Sequence, residues 1–261
     1  MPNDASEIHP TAIVEPGAQI GAGVSIGAFA YIGPKVRLGD GCRVHHHATV
    51  EGNTWLGAGN EVFSYAFIGG RTQDKKWTGD DAPIRIGERN IFREFTTVHP
   101  ATFADAETRV GSHNLFCSYA HIGHESHVGD HCVFSNNATL GGHCVIGNRV
   151  VIGGLTAVHQ FCRMGDGAMV GGCAKLVQDV LPYMIADGHP ASHRTINKVG
   201  MQRMGFGDAE IMQTRRIYKL FFRSTANHSQ ALDQLRDGAC GEGPIVDAIL
   251  AFVASSERGF S

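Results

Sequence analysis

Residues 122–158, written in sixes, read IGHESH VGDHCV FSNNAT LGGHCV IGNRVV IGGLTA V, and each group opens on a bulky apolar residue: Ile122, Val128, Phe134, Leu140, Ile146, Ile152 and Val158. The beat continues outward in both directions. Downstream it takes in Met164, Val170 and Leu176, and upstream Phe116, Val110, Val98, Phe92 and Ile86. Further upstream it runs through Ile68, Val62, Leu56, Val50, Val44, Leu38, Ile32, Ile26, Ile20, Val14 and Ile8, in phase over about 170 residues. Positions 74, 80 and 104 (Asp74, Asp80, Ala104) miss the beat, and each lies in a polar stretch that reads as an inserted loop. Glycine follows many of the apolar positions, as in Ile20-Gly21, Ile26-Gly27, Ile146-Gly147 and Ile152-Gly153. A period of six fits neither a helix nor a two-faced strand; it is the hexapeptide repeat of a parallel β-helix.

Three hexads make one coil of eighteen residues, so the chain is expected to wind as a prism. Its apolar residues point to the axis, and glycine at the corners accepts backbone angles closed to other residues. About nine coils at strand spacing give a rod on the order of 40 Å long. A rod with flat faces is expected to oligomerise through one of them.

Composition fits one soluble intracellular chain of 261 residues, a repeat core with a short appendix. Met1–Glu7 is polar and acidic, without the apolar centre of a signal peptide, and no apolar run reaches the length of a membrane span. A cytoplasmic location is expected. The seven cysteines, Cys42, Cys117, Cys132, Cys144, Cys162, Cys173 and Cys240, form no CxxC pair and read as small buried thiols.

The repeat breaks at residues 70–85, at 100–109 and near Asp179–Tyr183, where Pro182 closes the last coil. After about His189 the texture turns helical, which divides the chain into a β-helix over 1–190 and a helical domain over 191–261. The spacing places an amphipathic helix over Ala209–Arg223, with Ile211, Met212, Arg215, Tyr218, Phe221 and Phe222 on one face. Ser229–Arg236 and Ile245–Ala254, opened by Pro244, are expected to be two more. Residues 1–190 carry 13 Lys+Arg against 18 Asp+Glu, and residues 191–261 carry 9 against 7, so an acidic rod bears a basic tail. The bases concentrate at Arg194, Lys198, Arg203, Arg215, Arg216, Lys219 and Arg223. That face is either solvated or suited to an acidic or phosphate-bearing partner. Nucleic acid fits poorly, because the chain is net acidic and lacks interleaved aromatics.

Histidine is in excess at fifteen residues. His45, His46 and His47 read as surface corners. His124, His143 and His159 emerge on one side in successive coils, a ladder of imidazoles that suits either of two chemistries. One imidazole can be a general base with the others holding substrate, or three can ligate zinc, as in the γ-class carbonic anhydrases. Glu125 beside His124 favours the base, since a carboxylate orients and charges an imidazole.

Taken together, IHPTAIVEPGAQIG, QDKKW, IFREFTTVH, AHIGHE, SNNATLGGH, VIGGLTAVHQF, MVGGCAKLVQDVLPY and INKVGMQRMGF resemble the UDP-N-acetylglucosamine acyltransferase family over nearly the whole chain. The resemblance implies a left-handed β-helix, although spacing alone would leave the usual right-handed crossover open. It also implies a homotrimer with sites between subunits, and an acyl chain donated by acyl carrier protein at the first step of lipid A synthesis. No cofactor or metal of its own is implied, the phosphopantetheine arriving on the carrier. Matched motif by motif, the base falls on His124, held by Glu125, and the Gly142 amide meets the oxyanion. Gln73, Asp74 and Lys76 match the substrate loop; His99, His121, His143, His159 and Gln160 line the cleft; Asn197 and Arg203 match the nucleotide-diphosphate contacts. Gly172 matches the position that limits acyl length. The basic face of Arg215, Arg216, Lys219 and Arg223 becomes the carrier-protein surface.

The family usually has aspartate where Glu125 stands, Arg-Gly where Pro100-Ala101 stand, histidine at Pro190, glutamate at Val199 and arginine at Met204. The last two leave fewer polar groups for the nucleotide and point to an altered sugar or acyl preference. Three alternatives follow: an N-acyltransferase or paralogue acting on a modified UDP-amino sugar, a zinc enzyme, or a non-catalytic scaffold.

Overall fold

In the computed structural model, which describes residues 6–261, the hexads form short strands from Glu7–Ile8 to Lys175–Leu176 that wind through three parallel sheets. The hexad strands visit a first face of nine strands, a second of nine and a third of eight, in strict rotation, and two later strands bring the first face to eleven. Stacked strands pair in register eighteen residues apart, as Ile32 does with Val50 and Val158 with Leu176. The two insertions obey the same arithmetic. Val62 pairs with Phe92 and Phe92 with Phe116, spacings of 30 and 24, so the insertions loop out 12 and 6 residues. Those are whole hexads, the three missing beats, and the apolar phase survives them.

Two residues per hexad point inward. The hexad residue itself is buried from Ile26 to Leu176, and the residue two before it is small: Ala30, Ala48, Cys42, Cys132, Cys144 and Cys162 among others. Phe92, Phe116 and Phe134 stack along the axis with centroids 5.0 and 4.9 Å apart. Each such side chain contributes about 1.5–3 kcal/mol by burial. Where the small position is asparagine the interior gains a polar thread, Asn60 accepting from Asn90 Nδ2 and Asn90 from Asn114 Nδ2, both at 2.9 Å. Five of the seven cysteines are buried as expected, but Cys117 is half-buried and Cys173 exposed. Burial pushes the thiols of Cys132 and Cys144 up to about 12.

The corner glycines act differently from expectation. Positive φ falls three residues after the hexad position and mostly on side-chain-bearing residues, including Tyr65, Tyr119, Glu125 and His143. The glycine directly after the hexad residue is needed for close approach instead. A Cβ at Gly27 would lie 2.6 Å from the His46 nitrogen, and one at Gly123 2.7 Å from the Gly141 carbonyl carbon.

The tail begins later than its composition implied. Met184–Gly188 extends the first face, and Ala191–Ile196 pairs with it antiparallel, so residues 191–196 are strand rather than helix. Helices follow at α1 (Lys198–Arg203), α2 (Asp208–Phe222), α3 (His228–Arg236) and α4 (Pro244–Ala254); α1 was not expected. In α2 the buried stripe is Ile211, Thr214, Ile217, Tyr218 and Phe221, while Met212 and Arg215 face out. The tail is pinned by His193, whose Nε2 accepts from the Leu181 N–H (3.0 Å) and whose Nδ1 donates to the Ser261 carbonyl (2.6 Å). Among the described residues no helix is long and apolar enough to cross a membrane.

Candidate active site

Both insertions and His124 issue from the same edge of the prism, the corner between the second and third faces. His124 follows the strand His121–Ile122 on the second face and precedes His127–Val128 on the third; Gly142 and His143 occupy the same corner one coil further on, and His159 and Gln160 the next. The expected ladder therefore exists, but its members differ. His124 Nδ1 hydrogen-bonds to Glu125 Oε2. The His143 ring stands edge-on to His124 at 5.3 Å, its Nε2 4.0 Å from the same carboxylate oxygen. His159 and Gln160 are exposed, with His159 Nδ1 3.0 Å from the Gln160 carbonyl. The cluster on this corner that could hold a metal ion is His124, Glu125 and His143; among the described residues of one chain, His159 is not part of it.

The dyad is held from several sides. Glu125 adopts left-handed backbone (φ 53°), and its N–H donates to the buried Thr108 hydroxyl at 3.0 Å. Its other carboxylate oxygen accepts the Thr102 N–H at 2.6 Å. Asp74 reaches in from the first insertion, its Oδ2 3.3 Å from the Thr102 hydroxyl. The Lys76 N–H donates to Asp74 Oδ1 at 2.9 Å and holds that carboxyl below its usual range. Gln73 and Lys76 are exposed on the same loop. Behind the dyad His99 packs edge-on to His121 at 5.0 Å, and His121 Nδ1 bonds the Thr97 hydroxyl at 2.7 Å. Burial depresses His99 to about 4 and lowers His121 and His143 too, so these three imidazoles stay neutral near pH 7.

Gly142 lies against the His124 ring, where any Cβ would overlap it. Among the described residues its N–H meets no hydrogen-bond acceptor. A buried amide left open beside a carboxylate-held imidazole is the arrangement required for proton transfer coupled to oxyanion formation.

A chain with this corner and this fold has close relatives. Residues 179–261 match the family model described as UDP N-acetylglucosamine O-acyltransferase, domain 2, and residues 17–52 match the bacterial transferase hexapeptide model. An acyl-[acyl-carrier-protein]–UDP-N-acetylglucosamine O-acyltransferase from Akkermansia muciniphila is 44% identical over 97% of this chain and 98% of its own length. One of the same name from Paraburkholderia phytofirmans is 43% identical over 97% and 98%. The chain belongs to the UDP-N-acetylglucosamine O-acyltransferase family. The solved LpxA from Acinetobacter baumannii superposes on it with a TM-score of 0.93 at 39% identity, covering 97% of this chain and 98% of that one. LpxA from Bacteroides fragilis does so with 0.94 at 32%, covering 97% and 99%.

The remaining residues expected in this acyltransferase's site are dispersed within one chain. Asn197 and Arg203 lie beside a cavity of about 420 Å³ with His131, Arg149, Val151 and Met169, against the first face and its corner with the third. Asn197 is already engaged: its Oδ1 caps α1 through the Gly200 N–H (2.9 Å), and its Nδ2 donates to the Gly167 carbonyl (2.8 Å). Gly172 sits on the first-to-second corner, where an added Cβ would meet only Gly154, its carbonyl oxygen at 3.3 Å. Arg215, Arg216, Lys219 and Arg223 are all exposed on α2 or its end, with Arg223 Nε donating to the Tyr218 hydroxyl at 3.2 Å. The sequence reading missed Thr102, which nothing in its neighbours marks, and Thr108, which takes the inward position two before Val110.

Proposed function

We propose that the protein transfers a 3-hydroxyacyl chain from acyl carrier protein to the 3-hydroxyl of UDP-N-acetylglucosamine, the opening reaction of lipid A synthesis. The observation that carries this reading is the second-to-third corner, where a carboxylate-held imidazole and an open amide stand together. His124 Nε2 takes the proton of the sugar hydroxyl as its oxygen attacks the thioester carbonyl carbon. The negative charge passes to the carbonyl oxygen, which the Gly142 N–H receives. Collapse re-forms the carbonyl, breaks the carbon–sulfur bond, and the departing thiolate takes the proton back from the imidazolium. The products are an O-acyl sugar nucleotide and the free carrier thiol. Glu125 fixes Nδ1 as the protonated nitrogen and stabilises the transient cation.

The working unit in this reading is a homotrimer. One chain leaves the base, the nucleotide contacts and the acyl ruler on three different corners, so adjacent copies must bring them together. The corner that carries Gly172 also carries an exposed aromatic ladder, Phe29, His47, Tyr65, Phe95 and Tyr119, with neighbouring centroids 4.8–5.3 Å apart. Such an edge is suited to burial against a second copy. The acidic carrier meets the exposed bases of α2.

Mass spectrometry of UDP-N-acetylglucosamine after incubation with a panel of 3-hydroxyacyl carrier proteins, with EDTA throughout, tests the proposal. The expected product is heavier by one hydroxyacyl group. An unmodified sugar nucleotide with every donor overturns the reading.

A further inference from the structure

We propose that Thr102 is a positioning residue that sets the His124 base through Glu125 and couples it to the substrate loop through Asp74. This rests on the acyl-transfer reading above. Thr102 lies in the second insertion and is 1% exposed, so water cannot replace what it offers. Its backbone N–H pins Glu125 Oε1 at 2.6 Å, which leaves Oε2 for His124 Nδ1. A glutamate needs such a hold, because it has one more rotatable bond than an aspartate by which its carboxylate can leave the imidazole. With Nδ1 fixed as donor, the bare Nε2 is the nitrogen presented for proton abstraction.

The hydroxyl does a second task. Thr102 Oγ1 is 3.3 Å from Asp74 Oδ2, 3.4 Å from Glu125 Oε2 and 3.5 Å from His124 Nδ1. It carries one hydrogen, so it donates to one carboxylate at a time. It therefore stands between the loop acid and the dyad acid, screening their repulsion and holding the loop at the distance the base requires. The open end of the first insertion is thereby tied to the chemistry through one buried side chain.

Steady-state kinetics and ¹⁵N NMR of the His124 imidazole, assigned by its loss in His124→Ala, test this on the full-length protein. Thr102→Val keeps the shape and the amide but removes the hydroxyl. It should raise the KM for the sugar nucleotide and lower kcat by about tenfold, with the His124 signal shifting from one tautomer towards a mixture; Thr102→Ser should restore most of both. Glu125→Asp should lower kcat even though aspartate is the family's usual residue, because the shorter acid cannot span from the Thr102 N–H to His124. Thr102→Val with kinetics and imidazole shifts like the parent, or Glu125→Asp with full activity, overturns the proposal. If the parent itself transfers no acyl group, the functional reading fails. The positioning role then stands or falls on the imidazole shifts alone.

Discussion

Two corners of the same prism treat the same backbone group in opposite ways. On the third-to-first corner, the amide two residues after the hexad position is repeatedly capped by a side chain of the next coil. Asp40 takes the Ala22 N–H at 2.9 Å, Asp130 that of Ser112 at 2.6 Å, Asn148 that of Asp130 at 2.9 Å and Asp166 that of Asn148 at 2.7 Å. On the second-to-third corner, the equivalent amide of Gly142 is buried and, among the described residues, open, and the His124 ring fills the space a Gly142 side chain would need. The repeat makes these positions interchangeable in geometry; side-chain choice makes one structural and, in the function proposed above, the other reactive.

The largest effect expected to sharpen this contrast concerns stability rather than turnover. Burial holds His99, on the working corner, and His193, in the tail, at about 4, below the roughly 6.5 of an unfolded histidine. Between those values the unfolded chain binds protons that the folded chain refuses. Stability should therefore be full above about pH 6.5 and fall towards pH 4, by about 3 kcal/mol for each imidazole. Urea unfolding at several pH values measures this. His193→Gln should flatten the slope, while a curve level from pH 7.5 to 5 would show that neither imidazole resists protonation.

Next comes Gly142→Ala, which places a methyl on the His124 ring. Turnover should fall by about 10²-fold, and the melting temperature should fall too because the held His124 ring must move to admit the methyl; parental activity would mean the open corner is not the reactive one. Gly172→Met is expected to shift preference to a shorter acyl chain in competition between donors, since a side chain there has room to project. The smallest effect is expected from Arg215→Glu with Arg216→Glu, a few-fold rise in the KM for acyl carrier protein that shrinks at high salt. No change would return that face to plain solvation.

Much of this was legible in the sequence because the hexad period is a direct consequence of the coil. The phase of Ile122, Leu140 and Val158 predicts the stacking of the strands that position His124 and His143, and the three missing beats predict both insertions. What stayed hidden depends on the path of irregular segments. Thr102 reaches Glu125 only because a looped-out hexad folds back over the next coil, and nothing in its neighbours marks that. The role of the corner glycines was misread because close approach and positive φ leave the same residue in a sequence. Ala191–Ile196 was read with the helical tail because it is a single edge strand outside the repeat. The stripe of α2 was misplaced by counting Arg215 and Met212 in it, where Thr214 and Ile217 take the buried positions.

The central claim is tested most directly by measuring turnover and thermal unfolding side by side for His124→Ala and Asp130→Ala. His124→Ala should lose about 10²–10⁴-fold in kcat and melt like the parent. Asp130→Ala, which uncaps the Ser112 amide, should keep its kcat and lose about 1 kcal/mol of stability, a shift of about 2–4 °C. If His124→Ala stays active, or if both variants lose activity and stability together, the division between a reactive and a structural corner is wrong.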